Sequence, residues 1–180
     1  MEAQAESVIE MQVAETATRT RTYSWTDPTV NHAALGQRTG LETLQAIVSG
    51  ELPPPPITHT LDYRILEVEE GRVAFTMRAA EFHYNPLGTV HGGVLATLLD
   101  TCTGCAVHTV LPAGFGYTSL DLTTKFLRPV TVASGQLRCE GTVINRGRTT
   151  ALAEARLTDE SGRLMAYATS TCLIFELPTA

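Results

Sequence analysis

The run GGVLATLLDTCTGCAVHT, from Gly92 to about Thr109, constrains this chain more than any other segment. At 3.6 residues per turn it makes about five helical turns, and it is apolar on nearly every face. A helix without a polar stripe has to be covered on most sides. A bilayer is not the cover, because Asp100 and His108 interrupt the run before it reaches the roughly 18 uncharged residues of a span. The rest of the chain must therefore wrap it.

The flanking sequence has the period for that task. Leu61, Tyr63 and Ile65 alternate, Glu70-Gly71 marks a turn, and Val73, Phe75 and Met77 alternate again, which reads as a β-hairpin starting near Ile57. A third strand is expected near Leu120, Leu122 and Phe126, ended by Arg128-Pro129. Leu137–Ile144 and Ala151–Leu157 read as another hairpin around Asn145-Arg146-Gly147-Arg148, and Asp159–Gly162 turns into a last strand, Leu164–Phe175. Two strands, one long helix and four strands form an α+β plan with a mainly antiparallel sheet. Upstream, residues 1–36 show weak periodicity and read as a loosely ordered arm with a short helix near its start. Residues 37–56 hold a short helix, Leu41–Val48, and a stiff connector at Pro53–Pro56. Residues 57–177 are the folded domain.

With 180 residues and 43% hydrophobic content, one such core needs no metal or disulfide to hold it. The N-terminus MEAQAESVIE has neither a basic leader nor an apolar core, which points to a cytoplasmic protein. There Cys102, Cys105, Cys139 and Cys172 read as buried small hydrophobes. Cys102 and Cys105 form a C-x-x-C, but deep inside a helical run, without a second ligand pair for zinc or the strand-to-helix junction of a redox motif. His32, His59, His83 and His108 share no metal-ligand spacing, so no metal is expected. The formal charge of −6 argues against a general nucleic-acid binder. Between Asp121 and Arg148, however, five basic residues face two acidic ones, a contrast compatible with a local site for a small anion.

Within the apolar helix Asp100 is the anomaly. Gly93, Ala96, Thr97, Thr103 and Gly104 surround it at helical spacing and leave room for a ligand. A buried carboxylate is costly unless hydrogen-bonded or put to use, so it either bonds neighbouring Thr hydroxyls, points to solvent at a subunit edge, or does chemistry. At the helix start, Gly92 and Gly93 present unpaired N–H groups without Cβ atoms in the way. Such a donor aimed at a thioester oxygen stabilises an oxyanion, and a carboxylate attacks the carbonyl or activates a water. Gly92 and Asp100 lie about 12 Å apart along one helix, too far to share one carbonyl. If both serve one reaction, Asp100 comes from a second subunit, which predicts a two-fold dimer with two equivalent sites.

The run Asn85-Pro86-Leu87-Gly88-Thr89-Val90-His91-Gly92-Gly93, followed by Leu99-Asp100, resembles the N-x-x-G-x-x-H-G-G…D signature of PaaI-type hotdog thioesterases. Phe126-Leu127-Arg128-Pro129, Gly147-Arg148-Thr149 and Ala168-Thr169-Ser170 are similar to that family as well, so the likeness spans roughly Leu41 to Phe175. The resemblance implies a hotdog fold, a long sheet wrapped around one central helix. It implies a cofactor-free hydrolysis of an aryl or medium-chain acyl-CoA by homodimers, commonly paired into tetramers. Gly92 then matches the oxyanion-hole glycine and Asp100 the nucleophile or general base. Asn85 matches the polar residue that orients water or thioester from the facing subunit, His91 the residue that fixes the loop or touches the carbonyl, and Ser119, beside Thr118, a hydroxyl that places water. Relatives of the arylthioesterase branch carry a hydroxyl one turn after the acid, where this chain has Gly104.

Blander roles exist for several of these residues. Asn85 before Pro86 also reads as a turn residue, His91 as an N-cap neighbour, and Ser119 as a strand-surface residue. Gly93, Thr118, Arg128, Arg146 and Arg148 are candidates for binding the substrate or its coenzyme A part; the three arginines, at strand ends and in a hairpin, suit a nucleotide's phosphates, though hairpin arginines are usually solvated. Two rival functions share the fold: a hydratase or dehydratase using His83 or His91 with a carboxylate, and an acyl-CoA-binding module without turnover. The double glycine after His91 favours hydrolysis, and an unpaired buried Asp100 gains a pure binder nothing.

Overall fold

The computed structural model describes residues 18–34 and 36–178; the helix expected near the start of the arm lies outside them. The central element is α4, Gly92–Thr109. Leu95, Leu98, Leu99, Cys102, Ala106 and Val107 are all buried, Leu98 and Leu99 completely. Full burial of a leucine or valine side chain is worth about 1.5–3 kcal/mol, which is why this segment organises everything around it.

The wrap is one antiparallel sheet of seven strands: β1 (Tyr63–Glu69), β2 (Arg72–Arg78), β3 (Phe115–Ser119), β4 (Thr123–Phe126), β5 (Gln136–Arg146), β6 (Thr150–Thr158) and β7 (Leu164–Glu176). Their order is β1-β2-β5-β6-β7-β3, with β4 also on β7. This is the hotdog arrangement. The inner face is lined by small residues, so the sheet can curl closely around the helix: Ala151, Ala153 and Ala155 on β6, and Ala166, Ala168, Ser170 and Cys172 on β7 are buried, alternating with outward residues as a pleated strand requires. At Gly141 on β5 the approach is closest, since a Cβ there would lie 2.3 Å from the Cys102 carbonyl oxygen. On the outer face Arg138 bridges Glu67 at 2.8 Å and Glu140 at 2.9 Å, while Arg72 reaches the same two carboxylates.

Two expectations are corrected. The first hairpin starts at Tyr63 and not near Ile57: residues Pro56–Leu61 form a short helix, α3. Pro56 occupies its first turn, where a missing N–H costs nothing, and Asp62, at φ 55°, closes it and turns the chain into β1. The third strand is two strands. Leu120, Asp121 and Leu122 interrupt it, with the Asp121 carboxylate accepting from Thr171 N at 3.0 Å and its carbonyl accepting from Ser170 Oγ at 2.7 Å. β3 and β4 consequently lie end to end along the same edge of β7.

Upstream, α1 (Thr29–Ala34) precedes α2 (Gly40–Ser49), the latter matching the helix expected at Leu41–Val48. Thr39 and Glu42 form a capping box at its start. Both α2 and α3 lie over the β1 end of the sheet and enclose the space beside Asp100.

Candidate active site

Pleating puts Tyr117 and Ser119 on one face of β3, the face toward α4, and Thr118 on the other. Ser119 Oγ thereby donates to Asp100 Oδ1 at 2.9 Å. The carboxylate is thus held by a strand hydroxyl and not by the helix threonines: Thr97, Thr101 and Thr103 turn their hydroxyls back onto helix carbonyls at 2.9, 2.8 and 3.0 Å. Asp100 and Ser119 border a cavity of ≈ 580 Å³ whose other walls are α2, the Pro54-Pro55 connector, α3 and the start of β1. Leu44, Ile47, Ile57, Ile65 and Phe75 make most of it apolar.

Sequence reasoning missed three polar residues here. Tyr63 Oη lies 3.2 Å from Thr101 Oγ1, and burial pushes the phenol up to about 12. Tyr117 explains Gly104: a Cβ at that position would stand 2.7 Å from the Tyr117 ring and 2.9 Å from its hydroxyl. The space where relatives are expected to place a helix hydroxyl is filled by a phenol from the strand. Tyr117 and Cys105 both line the cavity, and burial pushes both groups up, the thiol to about 12. Cys105 is therefore a protonated wall residue. Cys102, whose thiol donates to the Cys139 carbonyl at 3.3 Å, is likewise shifted upward by burial. The signals were Thr101 following Asp100 directly, and the two-residue step from Tyr117 to Ser119.

The other half of the expected site opens elsewhere. His91 caps α4 through Nδ1, which accepts from Gly93 N at 2.9 Å, so Gly93's N–H is occupied. Gly92's N–H has no hydrogen-bond partner among the described residues, and Gly92 borders a separate cleft of ≈ 340 Å³ with Asn85, Phe126 and Arg128. Asn85 holds its own turn: Oδ1 accepts from Leu87 N at 2.9 Å and Nδ2 donates to Thr89 Oγ1 at 3.0 Å. Arg128 Nη1 donates to the Leu164 carbonyl. Arg146, at the end of β5, and Arg148, in the β5–β6 turn, are exposed and line neither space, and Thr118 is exposed on β3.

His83, a candidate acid–base residue for dehydration, is unsuited to that role. It is 2% exposed; Nδ1 accepts from Ala80 N at 3.2 Å and Nε2 lies 2.9 Å from the Leu61 carbonyl. Accepting at Nδ1 puts the proton on Nε2, and burial pulls the pKa down, so the ring is a neutral strut with both nitrogens engaged. Among the described residues no group of three or more His, Cys, Asp or Glu is placed to hold a metal, and no helix is long and apolar enough to cross a membrane.

Comparison with known proteins gives consistent results. The model of the thioesterase superfamily matches residues 87–166. A protein of Halobacterium salinarum is 41% identical over 69 residues, 37% of this chain and 44% of its own length. Acyl-coenzyme A thioesterase 13 of Mus musculus is 30% identical over 96 residues, 53% of this chain and 67% of that protein. A phenylacetic acid degradation-related protein of Ralstonia eutropha superposes with a TM-score of 0.67 at 32% identity, covering 72% of this chain and 98% of that one.

Proposed function

The chain belongs to the thioesterase superfamily, and from that premise we propose that it hydrolyses acyl-coenzyme A thioesters, aryl or medium-chain, to the free acid and coenzyme A. The observation that carries the reading is Asp100, held by Ser119 at 2.9 Å, at the border of a largely apolar cavity of ≈ 580 Å³. A volume of that size lies within the usual range for small-molecule sites.

In the proposed reaction Gly92 N–H polarises the thioester carbonyl. With Oδ1 engaged by Ser119, the second carboxylate oxygen of Asp100 takes a proton from a water, which adds to the carbonyl carbon. The tetrahedral intermediate collapses, the C–S bond breaks, and the thiolate of coenzyme A takes up the proton. Direct attack by Asp100 is the variant of this scheme: the carboxylate forms a mixed anhydride as the coenzyme A thiolate leaves, and water then hydrolyses it, with attack at the aspartyl carbonyl leaving a protein oxygen in the first product molecule formed in heavy-oxygen water. Arg128, beside the Gly92 cleft, and the exposed Arg146 and Arg148 are proposed phosphate contacts.

Gly92 and Asp100 border different cavities of one chain, which supports a site shared between two subunits. The β3/β4 edge of the sheet offers a place to pair, and it is flanked by exposed Leu120 and Leu127. The test is free-thiol release from a panel of aryl- and fatty acyl-CoAs, with Asp100→Asn and Gly92→Val. A Cβ at Gly92 would already press on the Phe126 ring at 3.2 Å. Each variant alone is expected to be inactive. Co-refolded in equal amounts, they should regain about a quarter of wild-type activity, because half the dimers then carry one intact site of two. Absence of thiol release by the wild type would overturn the reading; activity in neither pure nor mixed samples would remove the shared site.

A further inference from the structure

The described part of the N-terminal arm ends up against α3. Arg21 Nη1 donates to the Thr60 carbonyl at 2.8 Å and Nη2 to the His59 carbonyl at 2.5 Å. Its guanidinium carbon lies 4.2 Å from the Phe82 ring centroid and 4.7 Å from that of Tyr23, so the cation sits over two aromatic faces. Nearby, Arg19 pairs with Glu81 at 2.6 Å, and His83 meets the next α3 carbonyl, Leu61, at 2.9 Å. The last three carbonyls of α3 are all held by side chains from outside the helix.

A six-residue helix needs such holders. It is far below the length at which a helix persists alone, and Pro55 at its start supplies no side-chain cap. Its C-terminal end, where carbonyls are orphaned and the dipole is negative, is where a forked cation binds best. The same helix sends Ile57, Thr58 and His59 to the wall of the cavity that holds Asp100.

We propose that Arg21 is a positioning residue that fixes α3, so that the N-terminal arm sets which acyl chains the cavity accepts. An acyl group whose carbonyl lies at Asp100 enters a space whose wall includes α3; a short group never reaches that wall, and a long one packs on it. The inference rests on the thioesterase reading and extends it to chain length.

The experiment measures kcat and KM for butyryl-, octanoyl- and dodecanoyl-CoA in wild type, Arg21→Ala and Arg21→Lys, full chain throughout. For dodecanoyl-CoA, Arg21→Ala raises KM by about tenfold, the scale of one or two lost apolar contacts, with kcat little changed; butyryl-CoA kinetics stay at the wild-type value. Arg21→Lys, which keeps the charge and loses the fork, falls between the two. Amide exchange of residues 57–61 accelerates in Arg21→Ala. If Arg21→Ala does not fold, Phe82→Ala, which removes one stacking face at an exposed position, takes its place. Equal changes at every chain length, or none at any, overturn the proposal. Wild type that cleaves no acyl-CoA at all sinks the thioesterase reading first and this inference with it.

Discussion

Removing the Ser119 hydroxyl isolates what the Asp100 carboxylate contributes. The bond from Ser119 Oγ to Asp100 Oδ1 is 2.9 Å long, a neutral donor on a charged acceptor, a class worth about 1.5–3 kcal/mol net. Ser119 is exposed in the single chain, so the lower half of that range applies, about 1.5–2 kcal/mol. At 1.36 kcal/mol per decade, Ser119→Ala therefore lowers kcat by about 10–30-fold. KM stays near its wild-type value, because the hydroxyl touches the carboxylate and not the acyl chain. Asp100→Asn keeps an oxygen for Ser119 to donate to but loses the proposed base, at an expected cost of about 10²–10⁴ in kcat. The double variant should be no slower than Asp100→Asn alone, since a group that acts only through Asp100 has nothing left to position. Thiol release under saturating substrate gives the rates, and thermal melts confirm that each variant is folded. Wild-type kcat in Ser119→Ala, or a double-variant loss equal to the product of the two single losses, would refute this account.

Three further outcomes are expected. Gly104→Ala drives a Cβ to 2.7 Å from Tyr117 and should destabilise by about 1–3 kcal/mol, with recovery when Tyr117→Ala is added. Gly141→Val meets backbone, the Cys102 carbonyl at 2.3 Å, which cannot swing away; a loss of about 3 kcal/mol appears as a Tm lowered by about 6–12 °C. Acid stability depends on Glu67, which Arg138 first and Arg72 second hold down at about 2, against an ordinary 4.5. A depressed folded-state pKa means the contribution is whole above 4.5 and disappears as pH falls toward about 2. Melting curves across that window should be flatter for Glu67→Gln than for wild type, and parallel curves would remove Glu67 from the explanation.

Legibility in the sequence followed period and local chemistry. The apolar run Gly92–Thr109 and the alternating strands Arg72–Arg78 and Thr150–Thr158 announce themselves, because a single face or its absence is written within one segment. Helix α3 does not: Leu61, Tyr63 and Ile65 keep a two-residue period across a boundary that only Pro56 and the left-handed Asp62 mark. The break at Leu120–Leu122 depends on Asp121 meeting Ser170 and Thr171, some fifty positions later, which no local pattern contains. The same holds for the site. Asp100 stands out as a carboxylate in an apolar helix, whereas Tyr117 at Gly104 and Arg21 at the end of α3 are tertiary facts. The sequence also offered His83 to acid–base chemistry, since nothing in its neighbours reveals that Leu61 and Ala80 consume both ring nitrogens.

That α4 has no polar side bears on how the chain comes to be folded in a cell. The helix is synthesised before β5, β6 and β7, which form most of its sheath, and only the β1–β2 hairpin and the short helices are already there to shelter it. Another 67 residues separate Thr109 from Glu176, which at usual elongation speeds is an interval of about 3–13 s. During that time a strongly apolar helix has half a wrapper, and the nascent chain is a natural client for factors that shield greasy segments at the ribosome. Loss of β7 would make the interval permanent, because β7 pairs with β6, β3 and β4 at once. A premature stop before Leu164 should therefore leave an insoluble polypeptide and not a slightly weakened enzyme.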